Sequence, residues 1–140
     1  MIITFFGHRD APAALSSSLD RTLRELLEKN PCCCFYIGNQ GRFDALVKHT
    51  LQQLSDDFPK IRIITVLAYM PPDRVMFDTD TLYPEGLENI PRRFAIHHRN
   101  TWMLKQADIV ITHVISPAGG AAHFKDRALR MGKTVINVTT

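Results

Sequence analysis

The 140-residue chain has no apolar run near the roughly 20 residues that a membrane-spanning helix requires. Met1 to Arg9 carries no basic stretch ahead of its apolar residues, and that apolar stretch is too short for the core of a secretion signal. A cytoplasmic location without a membrane partner is the resulting expectation. The only cysteines are Cys32, Cys33 and Cys34. Neighbours in sequence cannot staple a fold, and they lack the CxxC spacing of a zinc site, so they read as a reduced, buried strand segment. The net charge is only +3 and the basic residues are scattered, so no stripe favours nucleic acid as a partner.

Two nucleotide-site motifs are missing as well. Neither Gly-x-Gly-x-x-Gly nor a Walker A sequence occurs, which removes support for ordinary dinucleotide oxidoreduction and for P-loop hydrolysis. No cofactor is expected. No Ser-His-Asp or Cys-His arrangement can be ordered from spacing. His97 and His98 are adjacent, so on a helix they point apart, and the i, i+4 pairing of helical zinc ligands is absent. No metal site is expected.

What is present is an alternation of apolar runs and amphipathic stretches. Residues 2–6 read as a buried strand ending at Gly7. Residues 17–29 read as a helix with Leu19, Leu23, Leu26 and Leu27 on one face, started by Ser17 and Asp20 as a capping pair. A strand at 32–37, a helix at 42–56 and a continuous Ile/Val-rich strand at 61–67 follow. Residues 68–91 hold Pro71, Pro72, Pro84, Gly86 and Pro91, which forbid a long regular element. Their aromatic and methionine content argues for a packed covering loop over the sheet edge. A helix at 92–106, a strand at 109–114, a helix at 121–131 stopped by Gly132, and a strand at 135–138 complete the chain.

This order predicts a three-layer Rossmann-like α/β fold as one domain over residues 1–140. Its sheet is parallel, with about five strands in the order 3-2-1-4-5. Ligands of such sheets bind outside the carboxyl ends of the strands, where the winding reverses. Three loops are expected there. Gly7, His8 and Arg9 follow the first strand, with Arg9 suited to a phosphate or carboxylate, or else to a surface ion pair. Gly38, Asn39, Gln40 and Gly41 lead into Phe43 and Asp44, an anion-friendly nest in which Asp44 either caps the helix or meets a sugar hydroxyl. Gly119, Gly120 and Ala121 open a helix whose amides suit phosphate. Arg99, Asn100 and Met103 share one side of a helix that faces the same edge, or else form part of a solvated polar face. Trp102 reads either as core or as an anchor for self-association.

Taken together, Phe6-Gly-His-Arg9, Gly38-Asn-Gln-Gly-Arg-Phe-Asp44, Arg99-Asn-Thr-Trp-Met103 with Ala107 to Ile111, and Gly119-Gly-Ala121 with Gly132 to Asn137 resemble the SLOG superfamily of Rossmann-like proteins over nearly the whole chain. That resemblance implies a pocket for a nucleotide or a nucleotide-derived small molecule, bound or sensed by these loops. One branch, the lonely-guy phosphoribohydrolases, cleaves the base from nucleoside monophosphates. Arg99, Asn100 and Met103 fit its helix motif, and Gly119 and Gly120 fit its glycine loop. Ala122 and His123 depart from that loop, and Lys125 and Asp126 stand where the branch has paired glutamates. A nucleoside-monophosphate N-glycosidase is therefore the alternative, with Asp126, Glu85 or Glu88 as candidate catalytic carboxylates. Other branches process DNA, and a DNA-associated factor is the weaker alternative. Related domains pair through helices, which makes a homo-oligomer an expectation of the resemblance.

Overall fold

A computed structural model describes residues 1–140. Its strands are β1 (Ile2–Gly7), β2 (Cys34–Ile37), β3 (Arg62–Val66), β4 (Asp80–Leu82), β5 (Ile109–His113) and β6 (Thr134–Asn137). Its helices are α1 (Leu15–Lys29), α2 (Gly41–Asp57), α3 (Ala95–Gln106) and α4 (Gly120–Arg130). All pairings are parallel, in the order β4-β3-β2-β1-β5-β6, so the fold is Rossmann-like α/β.

The five expected strands, here β3-β2-β1-β5-β6, follow the expected order. The sixth, β4, lies inside the segment read as a loop. Its three residues pair with Ile64, Thr65 and Val66 of β3, and the Leu67 N–H donates to the Leu82 carbonyl at 2.8 Å. Residues 68–91 are thereby drawn along the sheet edge and then, through a short 3-10 turn at Leu87–Asn89, onto the outer side of α3. They do not form the expected cover over the ligand edge.

The strands near the centre are apolar because both their faces are covered. On one face Ile3, Phe5, Phe35 and Ile111 pack with Leu15, Leu19, Leu23 and Leu27 of α1 and Val47, Leu51 and Leu54 of α2. On the other, Phe6, Val66 and Val110 pack with Met103 and Leu104 of α3 and Phe124 and Ala128 of α4. Trp102 is half-buried beside this second cluster, its ring 5.2 Å from that of Tyr36.

Several boundaries shift for local reasons. Helix α1 begins at Leu15, not at Ser17, and has no side-chain cap. The turn that starts it runs in from Pro12, whose carbonyl accepts the Leu15 N–H, and Leu15 is wholly buried. Strand β2 begins at Cys34, so Cys32 is exposed and only Cys33 is fully buried, its thiol donating to the Asn30 carbonyl. Helix α3 begins at Ala95, after a single 3-10 turn over Arg92–Phe94. Helix α4 stops at Gly132, whose φ of 74° only glycine adopts easily. The Lys133 N–H reaches back to Ala128 O and the Gly132 N–H to Leu129 O, a Schellman closure. The Lys133 ammonium then donates to the Ala107 carbonyl at 2.7 Å, which ties the end of α3 to the start of β6.

Candidate functional site

The winding reverses between β1 and β5, whose ends meet at the pairing of Gly7 with His113. A cleft of about 430 Å³ opens directly beyond them. The loops after β1, β2 and β5 and the inner side of α3 surround it.

The loop after β1 is built by contact with α2. A Cβ on Gly7 would lie 2.3 Å from the Phe43 ring, so only glycine lets that ring seat beneath the strand end. Phe43 is a buried wall of the core and does not line the cleft. His8 bridges to the loop after β5: its Nε2 accepts the N–H of Ile115 at 3.0 Å and of Ser116 at 3.4 Å. Arg9 lines the cleft with its side chain and offers its carbonyl to the Arg42 N–H at 2.9 Å.

The loop after β2 turns inward on itself. Gly38 is pressed between Asp44 and Arg99, since an added Cβ would be 2.7 Å from Asp44 Oδ2 and 3.2 Å from the Arg99 guanidinium carbon. Asp44 Oδ2 accepts the Gln40 N–H at 2.8 Å. Burial pushes the Asp44 carboxyl above its ordinary range, opposed by that hydrogen bond and by the positive charges of Arg99 and Arg9. Gly41, at φ 83°, packs on Arg9, whose side-chain Cγ and backbone Cα would lie 3.0 and 3.1 Å from an added Cβ. Gln40 and Asp44 line the cleft, whereas Gly38, Asn39 and Gly41 face a neighbouring depression of about 200 Å³ shared with Lys48 and Asp78.

Arg99 is 2% exposed, and burial holds its guanidinium below its ordinary range against the raising effect of Asp44. It is held in place by Nε donating to Asn100 Oδ1 at 2.8 Å and Nη1 donating to the Val66 carbonyl at 3.0 Å. Its Nη2 has no protein acceptor. Arg99, Asn100 and Met103 all line the cleft, as their spacing on the helix predicted.

The loop after β5 is pinned at its base and open at its tip. Asn137 Oδ1 accepts from Thr112 Oγ1 and from the Val114 N–H, at 2.8 and 2.9 Å. His113, buried, has Nδ1 2.8 Å from the Val138 carbonyl. At the tip, Gly119 has φ 101° and ψ 175°, a conformation essentially reserved for glycine. Helix α4 starts there without a side-chain cap or an acidic residue in its first turn. Gly119, Gly120 and Ala121 line the cleft, and neither glycine has an atom within 4 Å of where a Cβ would stand.

The three candidate carboxylates lie elsewhere. Glu85 faces a depression on the far side of α3 with Trp102 and Lys105, and Glu88 is exposed on the 3-10 turn beside it. Asp126 faces Ser116 and Pro117 on the other side of α4. Five cleft residues escaped the sequence reading: Phe5, Phe6, Asp10, Ile96 and Phe124. Asp10 directly follows Arg9, Phe124 stands one turn after Gly120, and Ile96 one turn before Arg99, so adjacency and helical spacing carried a signal for each. The Asp10 side chain makes no hydrogen bond or ion pair within the chain. No family model matches this sequence, and no curated protein matches it.

Proposed function

We propose that the cleft binds a nucleotide or a nucleotide-derived small molecule, as the resemblance to the SLOG superfamily implies, and that the chain is a member of that superfamily. The observation that carries this reading is the start of α4. Its first amides are uncapped, its glycines leave backbone open to the cleft, and Arg99 lines the same space. Unsatisfied amides with a favourable helix dipole suit a phosphate group. Apolar walls from Ile96, Met103 and Phe124 suit a base or sugar face, and Asn100 offers an amide for its polar edge. Thermal unfolding against AMP, ADP-ribose and cyclic dinucleotides tests the reading. A bound member should add about 2.7 kcal/mol at a hundredfold excess over its dissociation constant. If none of the three classes raises the transition, the reading is dropped.

A nucleoside-monophosphate N-glycosidase is the second reading, and Asp10 is the observation that favours it. It is the carboxylate in the cleft that the protein leaves unpaired, whereas Asp44 is engaged by Gln40. A free carboxylate beside a ribose can stabilise a developing ribosyl cation or activate water. Release of free base from AMP, abolished by Asp10→Asn and retained by Glu85→Gln, Glu88→Gln and Asp126→Asn, is the expected pattern. Full retention in Asp10→Asn removes the residue from the reaction.

A further inference from the structure

A second depression, of about 510 Å³, opens on the outer side of α3 and α4 and is lined by His97, His123, Arg127, Arg130 and Met131. Every titratable group on it is basic. The His97 imidazole is held below its ordinary range first by burial and then by His123, Arg127 and His98, all of like sign, and no carboxylate acts on it. None of the four ion pairs in the chain involves these residues. Asp126, although next to Arg127 in sequence, faces Ser116 and Pro117 instead.

The fold accounts for only part of this cluster. Arg127 and Arg130 stand in the last turn of α4, where the helix dipole favours cations. Arg127 also donates to Thr101 Oγ1 at 3.0 Å. Neither fact calls for His97 and His123, whose ring centroids lie 5.6 Å apart. The two guanidinium groups and the protonated forms of these imidazoles repel at such distances unless an anion joins them. No three groups of metal-binding type come together here, so these residues do not suit a metal ion.

We propose that this surface is a second anion site, at which His97, His123, Arg127 and Arg130 hold a phosphate-type dianion. The guanidinium fork matches phosphate oxygens, and the two imidazoles become donors as they take up protons. The site adjoins the cleft through Phe124, which lines the cleft and whose ring lies tilted, 5.2 Å from that of His97. The phosphate can therefore belong to the far end of a cleft ligand or to a separate phosphorylated molecule. The site itself does not depend on what the cleft binds.

The test follows the imidazole resonances of His97 and His123 in the full chain as inorganic phosphate is added at constant ionic strength, with chloride as the control. Both are expected to move together and to saturate in the millimolar range. Sulfate, a dianion at both values, should bind more tightly near about pH 6 than near about pH 8, because protonated imidazoles donate to it. The Arg127→Gln/Arg130→Gln double variant should weaken phosphate by about tenfold. No movement in the unaltered chain, or movement equal to that with chloride, overturns the proposal. Saturation by a single-stranded oligonucleotide at far lower concentration, with a steep salt dependence, overturns it in favour of nucleic acid. The source is then read from two ligands. If the double variant weakens adenosine 3′,5′-bisphosphate and leaves AMP unchanged, the phosphate is the distal group of a cleft ligand. If both are unchanged while free phosphate still moves the imidazoles, the source is a separate molecule.

Discussion

Two helices begin at the cleft behind glycine-containing loops, and they begin differently. At the start of α2 the protein supplies its own acceptors: the Asp44 carboxylate takes the Gln40 N–H, and the Arg9 carbonyl takes the Arg42 N–H. Its glycines are there because neighbours press on them, Asp44 and Arg99 on Gly38 and Arg9 on Gly41. At the start of α4 there is no such acceptor and no such neighbour, and Gly119 and Gly120 stand open to the cleft. One glycine loop serves packing, whereas the other leaves its backbone amides open. In sequence the two look alike, because what separates them is the company each glycine keeps after folding.

Alanine substitutions break or sharpen this contrast. The largest effect is expected at the junction of β1 and α2. Gly7→Ala drives a Cβ into the buried Phe43 ring and should cost about 3 kcal/mol in denaturant unfolding. Gly38→Ala meets the Asp44 carboxylate and the Arg99 guanidinium and should cost about 2 kcal/mol by the same measurement. An unchanged midpoint in either variant would show that the neighbouring side chain yields, and that the loop is less tightly packed than described. At α4, Gly120→Ala meets nothing and should leave stability within about 0.5 kcal/mol, while weakening any nucleotide found to stabilise the chain. A loss of stability without a loss of affinity there would reverse the contrast.

The smallest effect is a pH dependence at Asp44. Burial raises its carboxyl above 3.8 in the folded chain. The folded state thus keeps its proton to higher pH than the unfolded state, and stability from this group falls as pH rises from 3.8 through the raised folded value. Asp44→Asn retains an oxygen for the Gln40 N–H and removes the ionisation. The unaltered chain should lose stability relative to the variant across that window and run parallel to it below 3.8. A gap that widens on acidification instead would mean that the Arg99 and Arg9 charges outweigh burial.

The readability of each element follows from where its information resides. β1 and β5 carry theirs in their own residues, because a strand covered on both faces has to be apolar throughout. The stripe of α1 is legible for the same reason, as is the shared face of Arg99, Asn100 and Met103. β4 is not: Asp80, Thr81 and Leu82 have no pattern of their own, and only the backbone of β3 makes them a strand. Ser17 has the chemistry of a cap, but burial of Leu15 sets the helix start earlier. The site divides likewise. Its glycines and Arg99 stand out by residue type, whereas Phe5 and Phe6 look like core and line the cleft only because the sheet ends beside them.

The short edge strand has a consequence for whether another chain can add to the sheet. A sheet recruits a second chain through unpaired backbone along its outermost strands, and long flat edges are the ones that do so. Here the outer strands have three and four residues, and the shorter carries Asp80 on its exposed surface. Another chain laid alongside either one would gain only a few rungs of ladder. Assembly by strand addition is thus poorly rewarded, and the helical faces and loops are left as the surfaces through which two copies can gain most by touching.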